Sequence, residues 1–108
     1  APTLVLMLYA PQPSPKIPLW EQQLSVGAVG MNLLHAAHAH GFVGNWLTCW
    51  PATSAAVAHA LGATGAEDRM IGFFYIGTPS RPLDERPRPD APQIVRLWDG
   101  KSATKPAD

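Results

Sequence analysis

The chain has 108 residues, 46% of them hydrophobic and only 15% charged, where about a quarter charged is typical of a globular protein. That length allows one domain, and a formal net charge of zero, with acidic and basic residues interspersed, excludes the basic stripe of a nucleic-acid footprint. A single cysteine, Cys49, excludes an intrachain disulfide framework and fits a reducing, cytoplasmic compartment.

Charge is unevenly placed. The first 66 residues hold two charged side chains, Lys16 and Glu21, and the other fourteen lie from Glu67 onward. A small domain has much surface for its volume and should carry charge on every element. A charge-poor first two thirds therefore predicts surface covered by a partner subunit, a cofactor or further chain. The opening directly into an apolar strand, without methionine, points to further chain as well. No membrane span is expected. The apolar run at 3–10 is too short to cross a bilayer, and the stretch at 19–39 is interrupted by Glu21, Gln22, Gln23, Asn32, His35 and His38.

In chain order, Thr-Leu-Val-Leu-Met-Leu-Tyr at 3–9 is a continuous apolar run and predicts a strand buried on both faces. Pro11, Pro13, Pro15 and Pro18 enforce an extended connection. A helix over about 18–40 follows, with Glu21 favourable near its positive end. Leu24, Met31, Leu34 and His38 recur at helical spacing; Gly27, Ala28 and Gly30 are small enough for another helix to approach, and Gly41 is a plausible stop. A short strand at 45–49 and a second helix at 54–61, capped by Thr53 or Ser54 and ended by Gly62, come next. Glu67-Asp68-Arg69 reads as an exposed turn. Met-Ile-Gly-Phe-Phe-Tyr-Ile at 70–76 is the strongest strand signal, stopped by Gly77-Thr78-Pro79. Residues 80–92 read as an extended proline-rich arm, 93–98 as a last ordered segment and 99–108 as a flexible tail. The order predicts an α+β (mixed α/β) domain with a thin core.

The most informative stretch is 41–51, Gly-Phe-Val-Gly-Asn-Trp-Leu-Thr-Cys-Trp-Pro. Trp46 and Trp50 offer ring faces, and backbone N–H groups with the Thr48 hydroxyl offer donors, a set suited to a flat aromatic ligand; the same tryptophans could equally be core. His35, His38 and His40 invite a zinc site but lack further ligands and an orienting carboxylate nearby in sequence, so no metal is expected. Cys49, between apolar neighbours in the expected strand, reads as an inert buried thiol. No nucleophile elbow, Walker lysine or dinucleotide fingerprint is present. Arg86 and Arg88, two apart on a proline-stiffened segment, can point the same way and clamp a phosphate, or stay solvated beside Glu85 and Asp90.

Several segments taken together resemble the C-terminal half of a nitroreductase-family flavoprotein of the small, minimal branch. They are Ile-Pro-Leu-Trp-Glu-Gln-Gln at 17–23, Asn-Leu-Leu-His-Ala-Ala-His-Ala-His-Gly-Phe at 32–42, Asn-Trp-Leu-Thr at 45–48, Ala-Leu-Gly at 60–62 and Ile-Gly-Phe-Phe-Tyr-Ile-Gly-Thr-Pro at 71–79. The resemblance runs over about 1–98 and implies an incomplete nitroreductase-like fold. It further implies an FMN-dependent oxidoreductase that takes hydride from NADH or NADPH and passes electrons to a nitroaromatic or quinone, as a homodimer with the flavin at the interface. Trp46, Leu47 and Thr48 match positions lining FMN; Ala36, Ala37, His38, Ala39, His40 and Gly41 match a segment associated with the nicotinamide nucleotide. Arg86 and Arg88 sit near a basic pair that contacts the FMN phosphate in more distant relatives. Leu47 stands where some members carry arginine, and the family's N-terminal half, with its Arg-rich phosphate segment, has no counterpart in these residues. The 108 residues alone are thus expected to bind FMN poorly. The rival reading is a non-enzymatic dimerising α/β interaction domain.

Overall fold

The computed structural model describes residues 1–100, so most of the expected tail, at 101–108, lies outside the described residues. In chain order the elements are β1 (Thr3–Tyr9), α1 (Leu19–Ala39), β2 (Val43–Leu47), α2 (Cys49–Thr53), α3 (Ala55–Ala60), β3 (Arg69–Gly77) and α4 (Ala91–Ile94). The strands form one antiparallel sheet in the order β1-β3-β2, and the chain is α+β. The strand with the strongest β pattern is the central one. β1 is an edge strand, not a strand buried on both faces. Leu4 and Leu6 keep 48% and 41% of their surface exposed, because nothing among the described residues covers their side of the edge.

The long helix begins after Pro18, which needs no backbone donor at that position. The connection from β1 is tied down by Tyr9, whose hydroxyl donates to the Leu19 carbonyl (3.0 Å), and by Gln22. The Gln22 amide nitrogen donates to the carbonyls of Gln12 (2.8 Å) and Ile17 (3.0 Å), and its oxygen accepts from the Gln12 N–H (3.0 Å). Both expected glycine stops are used. Gly41 (φ +82°) donates to the His38 carbonyl while Phe42 donates to that of Ala37, and around Gly62 (φ +108°) the bonds to His59 and Ala58 repeat the arrangement. In each case a left-handed residue without Cβ satisfies the last helical carbonyls.

Three expectations need correction. The strand expected at 45–49 lies at Val43–Leu47, because Gly41 releases the chain early and β2 leaves the sheet at Thr48. Cys49 therefore opens α2, is exposed, and has φ +47°; it is not a buried strand thiol. The helix expected at 54–61 is present as α3, where Ser54 is extended (φ −84°, ψ 117°) and its Oγ accepts from the Val57 N–H at 3.3 Å as the cap; α2 is a further short turn of helix just before it. Gly30, expected to admit a second helix, is instead buried where α1 meets the sheet, and a Cβ there would come within 2.8 Å of the Trp46 ring.

Helices cover both sides of the sheet. On the α1 side Phe74 is fully buried, with the Trp46 ring centroid 4.9 Å away and tilted 35°. On the other side Ala58, Ala63 and Met70 form a second small core with Leu8, Ala52 and Phe73. Met70 and Phe73 share that side because the β1–β3 register slips: Met7 faces Gly72 while Leu8 faces Met70, so Ile71 is the extra residue of a bulge. From Thr78 onward every described residue is exposed. The Cα radius of gyration, 18.2 Å, exceeds the ~13 Å of a compact domain this long and reflects that arm.

Candidate cofactor site

The turn where β2 gives way to α2 gathers the expected flavin-facing residues. Leu47 ends the strand, Thr48 precedes α2 in an αR conformation without using its hydroxyl as a cap, and Trp50 keeps 73% of its surface exposed. This corner offers a flat ring an apolar platform and a hydroxyl at its edge, so the residues present fit one side of such a ligand.

Trp46 is placed differently. It belongs to the α1 side of the sheet, against Gly30 and Phe74, and its indole N–H donates to the Ile71 carbonyl at 2.9 Å. A Cβ on Gly72 would overlap the indole, so this approach of ring to backbone requires glycine there. Trp46 is half-buried, and the two tryptophans of the motif do not share a surface: Trp50 faces solvent while Trp46 packs inward.

Ala36, Ala37, His38, Ala39, His40 and Gly41 lie at the C-terminal end of α1, which leads into the first residue of β2. They are thus at the opposite end of β2 from the 47–48 corner, roughly 13 Å along the strand. Ala37 is buried; the other five are exposed. His35, His38 and His40 do not assemble into a metal site: no group of three or more His, Cys, Asp or Glu side chains suited to a metal occurs among the described residues.

Arg86 and Arg88 are on the exposed arm beyond β3. The Arg88 Nε lies 3.2 Å from Glu85 Oε1, in the solvated pairing that was one of the two readings of this segment. The arm leaves the sheet where Gly77 faces Val43, the end occupied by the α1 C-terminus. There a cleft of about 560 Å³ is lined by Asn45, Tyr75, Thr78, Ser80 and Arg81 among others. Asn45 and Tyr75 carried part of the resemblance but, like Arg81, were not named as site residues from the sequence. Strand alternation could have found the first two, which face each other across β2 and β3.

A larger open cavity, about 1000 Å³, lies between α2, α3 and the loop before β3. Its rim is built by Asp68, whose carboxylate accepts the N–H groups of Gly65 and Thr64, both at 2.9 Å. Those two bonds, the Gly65 bond foremost, hold the Asp68 carboxyl below its ordinary 3.8, with Arg69 adding a smaller effect. Arg69 in turn donates to the carbonyls of Ala66 and Asp68.

The nitroreductase family model matches residues 1–78, from β1 through the end of β3. The chain belongs to the nitroreductase family. A protein of Escherichia coli (strain K12) named "Putative NAD(P)H nitroreductase YdjA" is 35% identical over 79 residues, which are 73% of this chain and 43% of that protein. A Haemophilus influenzae protein named "Putative NAD(P)H nitroreductase" is 38% identical over 63 residues, 58% of this chain and 34% of its own length. The matched segments thus span less than half of these nitroreductase-family relatives. The 46–48 corner and the 36–41 helix end fall inside the family match, whereas Arg86 and Arg88 fall beyond it. Among the described residues no helix is long and apolar enough to cross a membrane.

Proposed function

We propose that this chain is part of an FMN-dependent oxidoreductase that accepts hydride from NADH or NADPH and delivers electrons to a nitroaromatic- or quinone-type acceptor. The observation that carries the reading is the 47–50 corner, where Leu47, Thr48 and Trp50 are all exposed and the Thr48 hydroxyl does not cap α2, lying inside a segment that matches the nitroreductase family. Hydride exchange is the chemistry FMN supplies when bound. The residues here orient and shield. Leu47 lies against the ring, Thr48 offers its hydroxyl to a polar edge, and the helix end at 36–41 receives the nicotinamide nucleotide. Arg86 supplies charge to the phosphate, with Arg88 joining once it exchanges Glu85 for that anion. Nothing in this scheme asks a side chain to act as an acid or base.

We also propose that the working protein is a cytoplasmic homodimer with the flavin at its interface. Leu24 and Met31 on the outer side of α1, at 63% and 46% exposure, suit an interface between subunits.

Flavin fluorescence quenching on titration of the 108-residue chain tests the reading. Saturable quenching weaker than micromolar is expected, because the corner supplies only one side of the ring. Thr48→Val and Arg86→Ala should each weaken it about tenfold. No saturable quenching by the native chain would sink the proposal. Micromolar or tighter binding would instead show that these residues suffice by themselves.

A further inference from the structure

The β2–β3 register pairs Leu47 with Phe73, and continuing it would set Cys49 opposite Ile71. β2 does not continue. The Ile71 carbonyl, which a longer β2 could engage, accepts instead from the Trp46 indole N–H. Ile71 is also the residue that the β1–β3 bulge leaves without a partner on β1, so the indole satisfies a carbonyl at an irregular point of the central strand. Gly72, beside it, has no Cβ and leaves room for the ring. The chain then departs at Thr48 and passes through Cys49 at φ +47°, a conformation that residues other than glycine, asparagine and aspartate seldom adopt.

We infer that Trp46 is a positioning residue: by taking the Ile71 carbonyl, its indole N–H ends β2 at Leu47 and fixes the 47–49 turn that faces the cofactor. This rests on the proposed flavin role of that corner and changes the part played by Trp46 within it. The indole is a strut behind the corner, and the ring-facing surface is Leu47 and Thr48. Loss of the N–H leaves the Ile71 carbonyl open to the Cys49 amide and lets the strand run on.

Hydrogen exchange without flavin tests the strut. In the native chain the Trp46 indole N–H should exchange at least about tenfold more slowly than that of exposed Trp50, as read by proton–nitrogen NMR. Trp46→Phe keeps an aromatic ring and deletes the donor. It should raise exchange of the 47–50 amides about tenfold while leaving the 4–8 amides of β1 within about threefold. Phe74→Leu loosens the same cluster but spares the donor, so it should not single out 47–50. An unprotected Trp46 N–H, or equal effects of the two substitutions on 47–50, overturns the inference; the first readout needs no variant to fold. A flavin titration beside these measurements separates the two proposals. If Trp46→Phe abolishes flavin binding while exchange at 47–50 is unchanged, the indole itself faces the ring and the strut is wrong. If the native chain takes up no flavin, the functional reading fails and exchange still decides the strut.

Discussion

On the α1 side of the sheet Phe74 is fully buried, Trp46 lies against it, and buried Gly30 lets the helix close on both. On the opposite side Met70 is buried with Ala58 and Ala63, yet Leu4, Leu6, Leu47 and Tyr75 are exposed. The first side is sealed by one helix of 21 residues; the second is sealed only where the short helices α2 and α3 reach. The sealed side therefore holds the fold together, and the open side carries the corner proposed for the cofactor. Substitutions should separate these two tasks.

The largest effect is expected at Phe74. Phe74→Ala removes the one large side chain among the described residues with no solvent exposure and should cost about 3–5 kcal/mol in chemical denaturation, enough to unfold a marginal domain. Ser54→Ala acts on the other side by deleting the α3 cap and should cost about 1 kcal/mol. A Ser54→Ala loss as large as that of Phe74→Ala would mean that the α3 side carries the fold to the same degree, and the contrast would be wrong.

Leu6→Lys should change the stability of the 108-residue chain by no more than about 0.5 kcal/mol, since Leu6 is already 41% exposed on the edge strand. A larger loss in the same denaturation measurement, reached at concentrations where sedimentation shows association, would identify this edge as covered in solution. The charge-poor composition of the first 66 residues anticipates cover of that kind.

What could be read from sequence divides along similar lines. The bounds of β1, the stops at Gly41 and Gly62 and the cap at Ser54 are set by neighbours within a few residues, and all are visible as local pattern. The end of β2 is not local. It depends on a hydrogen bond from Trp46 to a carbonyl 25 residues later, and on Gly72 leaving space for the ring, so apolar residues through Cys49 read as continued strand. The exposure of β1 was hidden for the same reason. An unbroken apolar run looks identical whether its second face is covered within the chain or by something outside it. The 46–48 segment was visible in the sequence as a candidate, but the opposed placement of Trp46 and Trp50 was not, because an indole serves equally well as packing or as a platform.

The smallest effect concerns Asp68, at the rim of the open side's cavity. Its carboxylate accepts from Gly65 and Thr64 and is held below its ordinary 3.8, so the folded state favours the charged form. Between the folded value and 3.8 the unfolded chain binds more protons. Stability from this group is thus complete above 3.8 and is lost as pH falls through the lower folded value. Thermal unfolding of the native chain followed below pH 3.8 should decline more steeply than that of Asp68→Asn, which has no charge to lose. Because the turn borders the alanine-lined cavity rather than the Trp46–Phe74 cluster, that decline should expose α3 before the sheet. The 56–60 amides of α3 should lose protection first, with those of β3 following only at global unfolding. Simultaneous loss in both segments would mean that the two sides of the sheet are a single cooperative unit.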